Sequence, residues 1–260
     1  LALGPTALGL AASLFFVAAG MLAISCGRLV QRLPLRGTWA LALLVSATSL
    51  AVLTCAWSYP VFLAGMVLGG AGIALIHPTA NRMLSQGVHG ARLGLAFGLK
   101  QAALPGSTLL AGLAVPLVAL TLGWRWAFAI AGLAALLALR LRGGVVDRPA
   151  DAPPPAPADP SEAPVARRTD RGLALATLGA GFGSAAPTGL ATFFVGSGVD
   201  VGFSVAATGL LFALCSLMVL LLRVVLGWAL DHTRVRPHAL VATLITLATV
   251  GYVLVATGSP

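Results

Sequence analysis

Residues 206–236 read AATGLLFALCSLMVLLLRVVLGWALDHTRVR. From Ala206 to Leu230 the only charge is Arg223; Asp231, Arg234 and Arg236 then follow within six positions. About 20 apolar residues suffice for a helix to cross the hydrocarbon of a bilayer. A basic cluster directly after such a run marks the place where a membrane helix meets an aqueous face. This stretch therefore reads as a transmembrane helix that ends at a polar surface.

Seven further runs have the same character: 7–30, 39–57, 60–84, 93–120, 126–141, 172–195 and 238–257. With 206–230 they make eight. The chain as a whole is 58% hydrophobic and 9% charged, whereas a soluble domain carries about 25% charged residues. Its mean hydropathy is +0.98. The expected fold class is an all-α membrane protein of about eight transmembrane helices, with the lipid bilayer as its main partner. The net charge of +9 does not point to nucleic acid, because the basic residues lie between apolar runs and form no patch with interleaved aromatics.

One segment differs. Residues 143–170 hold Pro149, Pro153, Pro154, Pro155, Pro157, Pro160 and Pro164, and no Leu, Ile or Phe. Asp147, Asp151, Asp159, Glu162 and Asp170 also lie there, leaving only Asp200 and Asp231 elsewhere. Such a composition buries too little apolar surface to fold, so the segment reads as a disordered linker. The implied organisation is an N-terminal helical bundle over 1–142, the linker over 143–170 and part of a second bundle over 171–260.

Arginines set the orientation. Arg28, Arg32 and Arg36 lie at or just past the end of the first run, and Arg82 and Arg92 at the junction of the third and fourth. Arg140, Arg142, Arg148, Arg167, Arg168 and Arg171 flank or occupy the linker, and Arg234 and Arg236 follow the seventh run. If successive runs cross in opposite senses, all of these share one face, and the opposite loops keep only Arg125. Such an asymmetry marks the arginine face as cytoplasmic. The expectation is an integral protein of the cell (inner or plasma) membrane with its linker in the cytoplasm.

The chain also repeats itself. Gly27-Arg-Leu-Val-Gln31-Arg-Leu-Pro-Leu-Arg36 recurs, 200 residues on and without gaps, as Gly227-Trp-Ala-Leu-Asp231-His-Thr-Arg-Val-Arg236. Upstream, Ala7, Gly9, Leu10 and Leu14 match Ala207, Gly209, Leu210 and Leu214. Both copies lie where an apolar run meets the arginine face. A glycine there permits close approach of a neighbouring backbone. An acidic residue four positions on can sit at the positive N-terminus of another helix.

In these residues the chain resembles the major facilitator superfamily. That family's signature, G-x-x-x-D-R-x-G-R-[KR] in variants, lies between its second and third helices and recurs between the eighth and ninth. Gly123-Trp-Arg-Trp-Ala-Phe128 is similar to the stretch before its sixth helix, and the region from Asn81-Arg82 through Arg92-Leu-Gly-Leu-Ala-Phe-Gly98 to its fourth-to-fifth connection. The resemblance implies a secondary transporter of a small solute, and assigns the eight runs to the second through ninth of twelve helices. Leu1 opens inside what reads as a loop and Pro260 follows an apolar run, with no recognisable signal peptide. Both ends read as cut. The remaining transmembrane helices of the full-length chain are then expected as partners, and the 260 residues alone are expected not to transport.

The resemblance makes Gly27, Gln31, Arg32 and Arg36, with Gly227, Asp231, Arg234 and Arg236, a gating motif in two copies. Gln31 departs from the family's Asp. At a helix N-terminus a neutral amide contributes roughly 0.3–1 kcal/mol less than a carboxylate, so the first copy is expected to be the weaker gate. Asp231 is expected at the start of the fourth run, near Arg92. The opposed reading is a solvated loop acid.

Intramembrane charge is the usual pointer to a transport path. Lys100 lies eight residues beyond Arg92, and Arg223 eight before Asp231. Each is roughly 12 Å into its helix. With Gln101 they are candidates for the inner part of the pathway, favouring an anionic solute; the competing reading is that both cations snorkel to the interface. His77, beside Pro78, and Thr188 and Thr192, near the helix-breaking Pro187, complete the translocation candidates. A lone His at such a position is more often a hydrogen-bonded packing residue than a ligand or proton carrier. Gly65, Gly69, Gly70 and Gly72 suggest tight helix contact.

No catalytic or cofactor signal accompanies these residues. Cys26, Cys55 and Cys215 stand alone in separate runs, with no metal-ligand spacing, phosphate loop or dinucleotide fingerprint. No cofactor, metal or enzymatic activity is expected. A non-transporting membrane scaffold or assembly-dependent subunit is the alternative to a transporter, since basic loops and an internal repeat fit both.

Overall fold

The computed structural model describes residues 4–88, 93–144, 170–232 and 237–257. They form eight α-helices: α1 (Pro5–Arg32), α2 (Leu35–Thr54), α3 (Tyr59–Gly87), α4 (Leu93–Ala114), α5 (Trp124–Ala138), α6 (Asp170–Asp200), α7 (Val205–His232) and α8 (Pro237–Thr257). Each falls on one of the eight apolar runs. Six are long and apolar enough to cross a membrane: α1, α2, α3, α4 with its extension to Ala119, α5 extended to Leu141, and α7. At 31 and 21 residues, α6 and α8 also reach across a hydrocarbon layer of about 30 Å at 1.5 Å per residue.

Several helices run past their expected bounds: α2 begins at Leu35 and α6 spans Asp170–Asp200, so that Asp170 is helical rather than part of a disordered linker. The regular α-helix gives way at two places. The fourth run does not stay α-helical to its end: Val115–Ala119 is a π turn containing Pro116. Proline has no N–H to give to the ladder, and the wider turn accommodates the break. The fifth run ends in a 3₁₀ segment, Leu139–Gly144. Between these helices Gly123 takes φ +99°, a value that glycine adopts without strain.

Hydrogen bonds between helix ends sort those ends into two faces. At one face Arg82, near the end of α3, donates to the Val30 carbonyl and, at 2.8 Å, to the Leu33 carbonyl at the end of α1. At the other, Tyr59 at the start of α3 donates to the Ala7 carbonyl of α1 at 2.7 Å. There too Arg125, at the start of α5, donates to the Ala56 carbonyl after α2 at 2.7 Å. Arg125 thus satisfies an orphan carbonyl beyond a helix C-terminus, which explains a cation on the face that is otherwise nearly free of them.

Small residues bring the helices together. α3 packs between α1 and α2, and α5 packs on α2. A Cβ at Gly70 would overlap the Phe15 carbonyl oxygen of α1, and one at Gly72 would stand 2.7 Å from the Ser46 hydroxyl of α2. Buried hydroxyls bond to backbone: Ser49 donates to the Gly65 carbonyl and Thr79 to the Leu75 carbonyl, both at 2.8 Å. Large apolar side chains such as Met21, Leu110, Leu117 and Leu254 point outward. Water does not drive helix association in lipid, so close packing and satisfied polar groups must hold the assembly.

Candidate functional site

The most extensive helix pair joins elements on opposite sides of the linker, α4 and α7. They run antiparallel, with Gly94 and Gly98 against Gly227 at one end and Gly112 against Gly209 at the other. A Cβ on Gly98 would lie 2.8 Å from the Arg223 carbonyl oxygen, and one on Gly227 would lie 2.7 Å from that of Gly94. A Cβ on Gly112 would lie 2.8 Å from the amide nitrogen of Ala213. The two backbones therefore touch through glycines over most of their length.

At the arginine-face end of this pair sits Asp231. Its Oδ1 accepts the Gly94 N–H at 2.7 Å and its Oδ2 the Leu95 N–H at 2.7 Å. These are N–H groups in the first turn of α4, which has no intrahelical carbonyl for them, and the carboxylate also meets the positive end of the helix dipole. Gly94 makes the approach feasible, because a Cβ there would lie 2.5 Å from Oδ1. One turn earlier in α7, Gly227 lets the helix in. The spacing Gly227-x-x-x-Asp231 thus has a physical meaning: the glycine sets the distance and the acid makes the bond.

The first copy of the motif behaves differently. Gly27 faces open space, with nothing within 4 Å of where its Cβ would be. Gln31, Arg32 and Arg36 are exposed. The turn after them is held within its own group of helices by Arg82. Arg92, Arg234 and Arg236 lie outside the described residues.

A sequence model of the Major Facilitator Superfamily matches residues 1–260. The chain belongs to the Major Facilitator Superfamily. No curated protein and no solved structure matches it. Members of the superfamily are membrane transporters, so the protein is an integral membrane protein whose family activity is the passage of small molecules.

The remaining candidates of this superfamily member fall into two places. Arg223 is half-buried on α7, and its Nη1 donates to the Gln101 carbonyl of α4 at 3.2 Å. Lys100 is half-buried next to Gln101, and His77 is exposed on α3. The structure thus brings Lys100, Gln101 and Arg223 to one level of the α4–α7 seam and leaves His77 apart on α3. Thr188 and Thr192 lie elsewhere, on α6, where they line an open cleft of about 710 Å³ against Gly9, Ser13, Phe16 and Val17 of α1. Among the described residues no group of His, Cys, Asp and Glu could hold a metal ion.

Sequence reasoning missed Gly94, Gly98, Gly112 and Gly209, and the capping by Arg82 and Arg125. The four-residue spacing of Gly94 and Gly98 was a usable signal, and so was the match of Gly9 to Gly209. Nothing local distinguishes Arg82 from its neighbouring arginines.

Proposed function

We propose that the protein is a secondary transporter that moves a small solute by alternating access of two helical bundles, 1–142 and 171–260, joined by a cytoplasmic tether. What supports this reading is the bond of Asp231, on one side of the tether, to the Gly94 and Leu95 amides on the other. It is non-covalent and lies at the rim of the seam. It stabilises one orientation of the bundles and breaks in the other. Gln31 makes no equivalent bond among the described residues, so the second copy is the latch and the first is not. Lys100, Gln101 and Arg223 face the inner part of the path, where two cations favour an anionic solute.

The test is the Asp231→Asn variant, which keeps shape and removes charge. The amide can accept only one of the two N–H bonds. The weakened dipole and hydrogen-bond interaction amounts to about 1–2 kcal/mol in a half-buried setting, a shift of about 5–30-fold in the ratio of the two orientations. Cysteine labels placed along the α4–α7 seam should react faster from the arginine face in the variant. Equal labelling rates would remove Asp231 from the gate.

A further inference from the structure

The cleft between α1 and α6 has a lining that selects a class of solute. Its volume of about 710 Å³ lies within the range of small-molecule sites, about 300–1,000 Å³. Phe16 of α1 and Phe193 of α6 supply aromatic faces, and Gly189 leaves part of the wall flat. Ser13, Thr188 and Thr192 supply hydroxyls, and among the described residues no Asp, Glu, Lys, Arg or His lines the cleft. The Thr192 hydroxyl already donates to the Thr188 carbonyl at 2.8 Å. Its oxygen lone pairs are what remains for a ligand, so the cleft offers an acceptor there.

Against the described lining, an anion would lose its hydration without meeting a cation, and a cation would meet no carboxylate; both are costly at membrane depth. A neutral aromatic ring loses nothing comparable and gains contact with two phenyl groups. We propose that this cleft binds a neutral, planar aromatic solute bearing one hydrogen-bond donor, with the ring against Phe16 and Phe193 and the donor on the Thr192 hydroxyl oxygen. Binding itself does not depend on the transporter reading; only the passage of the bound solute across the membrane rests on it. The inference gives the protein a solute class different from the anion that Lys100 and Arg223 favour, since neither of these lines the cleft.

Three probes of one ring size separate the options: 2-naphthol, neutral with a donor; 2-naphthoate, an anion; and 2-naphthylmethylammonium, a cation. Equilibrium binding is measured on the full chain in lipid nanodiscs, with empty nanodiscs subtracted. Saturable 2-naphthol binding is expected, with little competition from either ion. Gly189→Leu should fill the cleft and weaken binding by at least about tenfold. A Cβ there meets nothing within 4 Å, so the added side chain starts in open space. Gly196→Leu, on the same helix, equally open and outside the cleft, should bind as the unaltered protein does. Thr192→Val, losing one hydrogen bond, should weaken binding about 2–10-fold. The proposal is overturned by unchanged binding in Gly189→Leu or by stronger competition from either ion. It is also overturned by a signal no larger than that of empty nanodiscs, which would mean that lipid fills the cleft. Because no uptake is measured, loss of binding leaves the Asp231 latch standing, and failure of the latch leaves the binding site standing.

Discussion

Single side chains at helix ends hold this protein together. Arg82 is the clearest case, since one guanidinium serves the carbonyls of Val30 and Leu33. Truncation to Ala would leave those carbonyls without that partner, at a cost of about 1–3 kcal/mol. Arg82→Ala should therefore lower the melting temperature in detergent and raise amide exchange around Leu33. Arg82→Lys, whose ammonium can still reach carbonyls, should recover part of the loss. Lys100 and Arg223 pose a different question at this scale, because the chemistry of a half-buried cation fits both a solute path and snorkelling. Reversing both charges to Glu should abolish the uptake of any anionic solute by the reconstituted full-length protein, with the remaining helices present. Unchanged uptake would assign both residues to anchoring their helices.

The decisive element pair is α4 with α7. Its glycines permit a contact that no larger residue tolerates, so substitutions there should differ in sign from those elsewhere. Gly98→Leu would drive a side chain into the α7 backbone at Arg223 and Gly227, and overpacking of this kind costs about 1–3 kcal/mol. Gly20→Ala on α1 meets open space and should be neutral or stabilising by up to about 1 kcal/mol, from helix propensity alone. Thermal unfolding of the two variants side by side measures the contrast; equal shifts would mean that the α4–α7 seam is not a tight interface. The two copies of the repeat diverge at the same scale. Copy two is engaged by α4, whereas copy one is rooted by Arg82 and turns Gly27 to open space.

At the scale of the molecule, the described helix ends meet in pairs. The ends of α1 and α3 meet through Arg82, and the end of α7 meets the start of α4 through Asp231. Membrane-impermeant thiol labelling of single cysteines in the tether 143–170 and in the turn 233–236 should report the same side of the bilayer for both. Labelling from opposite sides would break the topology on which the transport reading stands.

Much of this was legible in the amino acids alone. Eight apolar runs, their punctuation by arginine, the 200-residue repeat and the special standing of Asp231 are local properties, because hydropathy and charge act on each segment wherever it packs. That the first copy would be the weaker followed from Gln31; the glycines that receive Asp231 and the cleft between α1 and α6 were not legible. Gly94 and Asp231 are 137 positions apart in the chain. Contact between them depends on the shapes of two helices matching to within a fraction of an ångström. In lipid, where apolar surface alone favours no particular partner, only the packed structure can decide such a match.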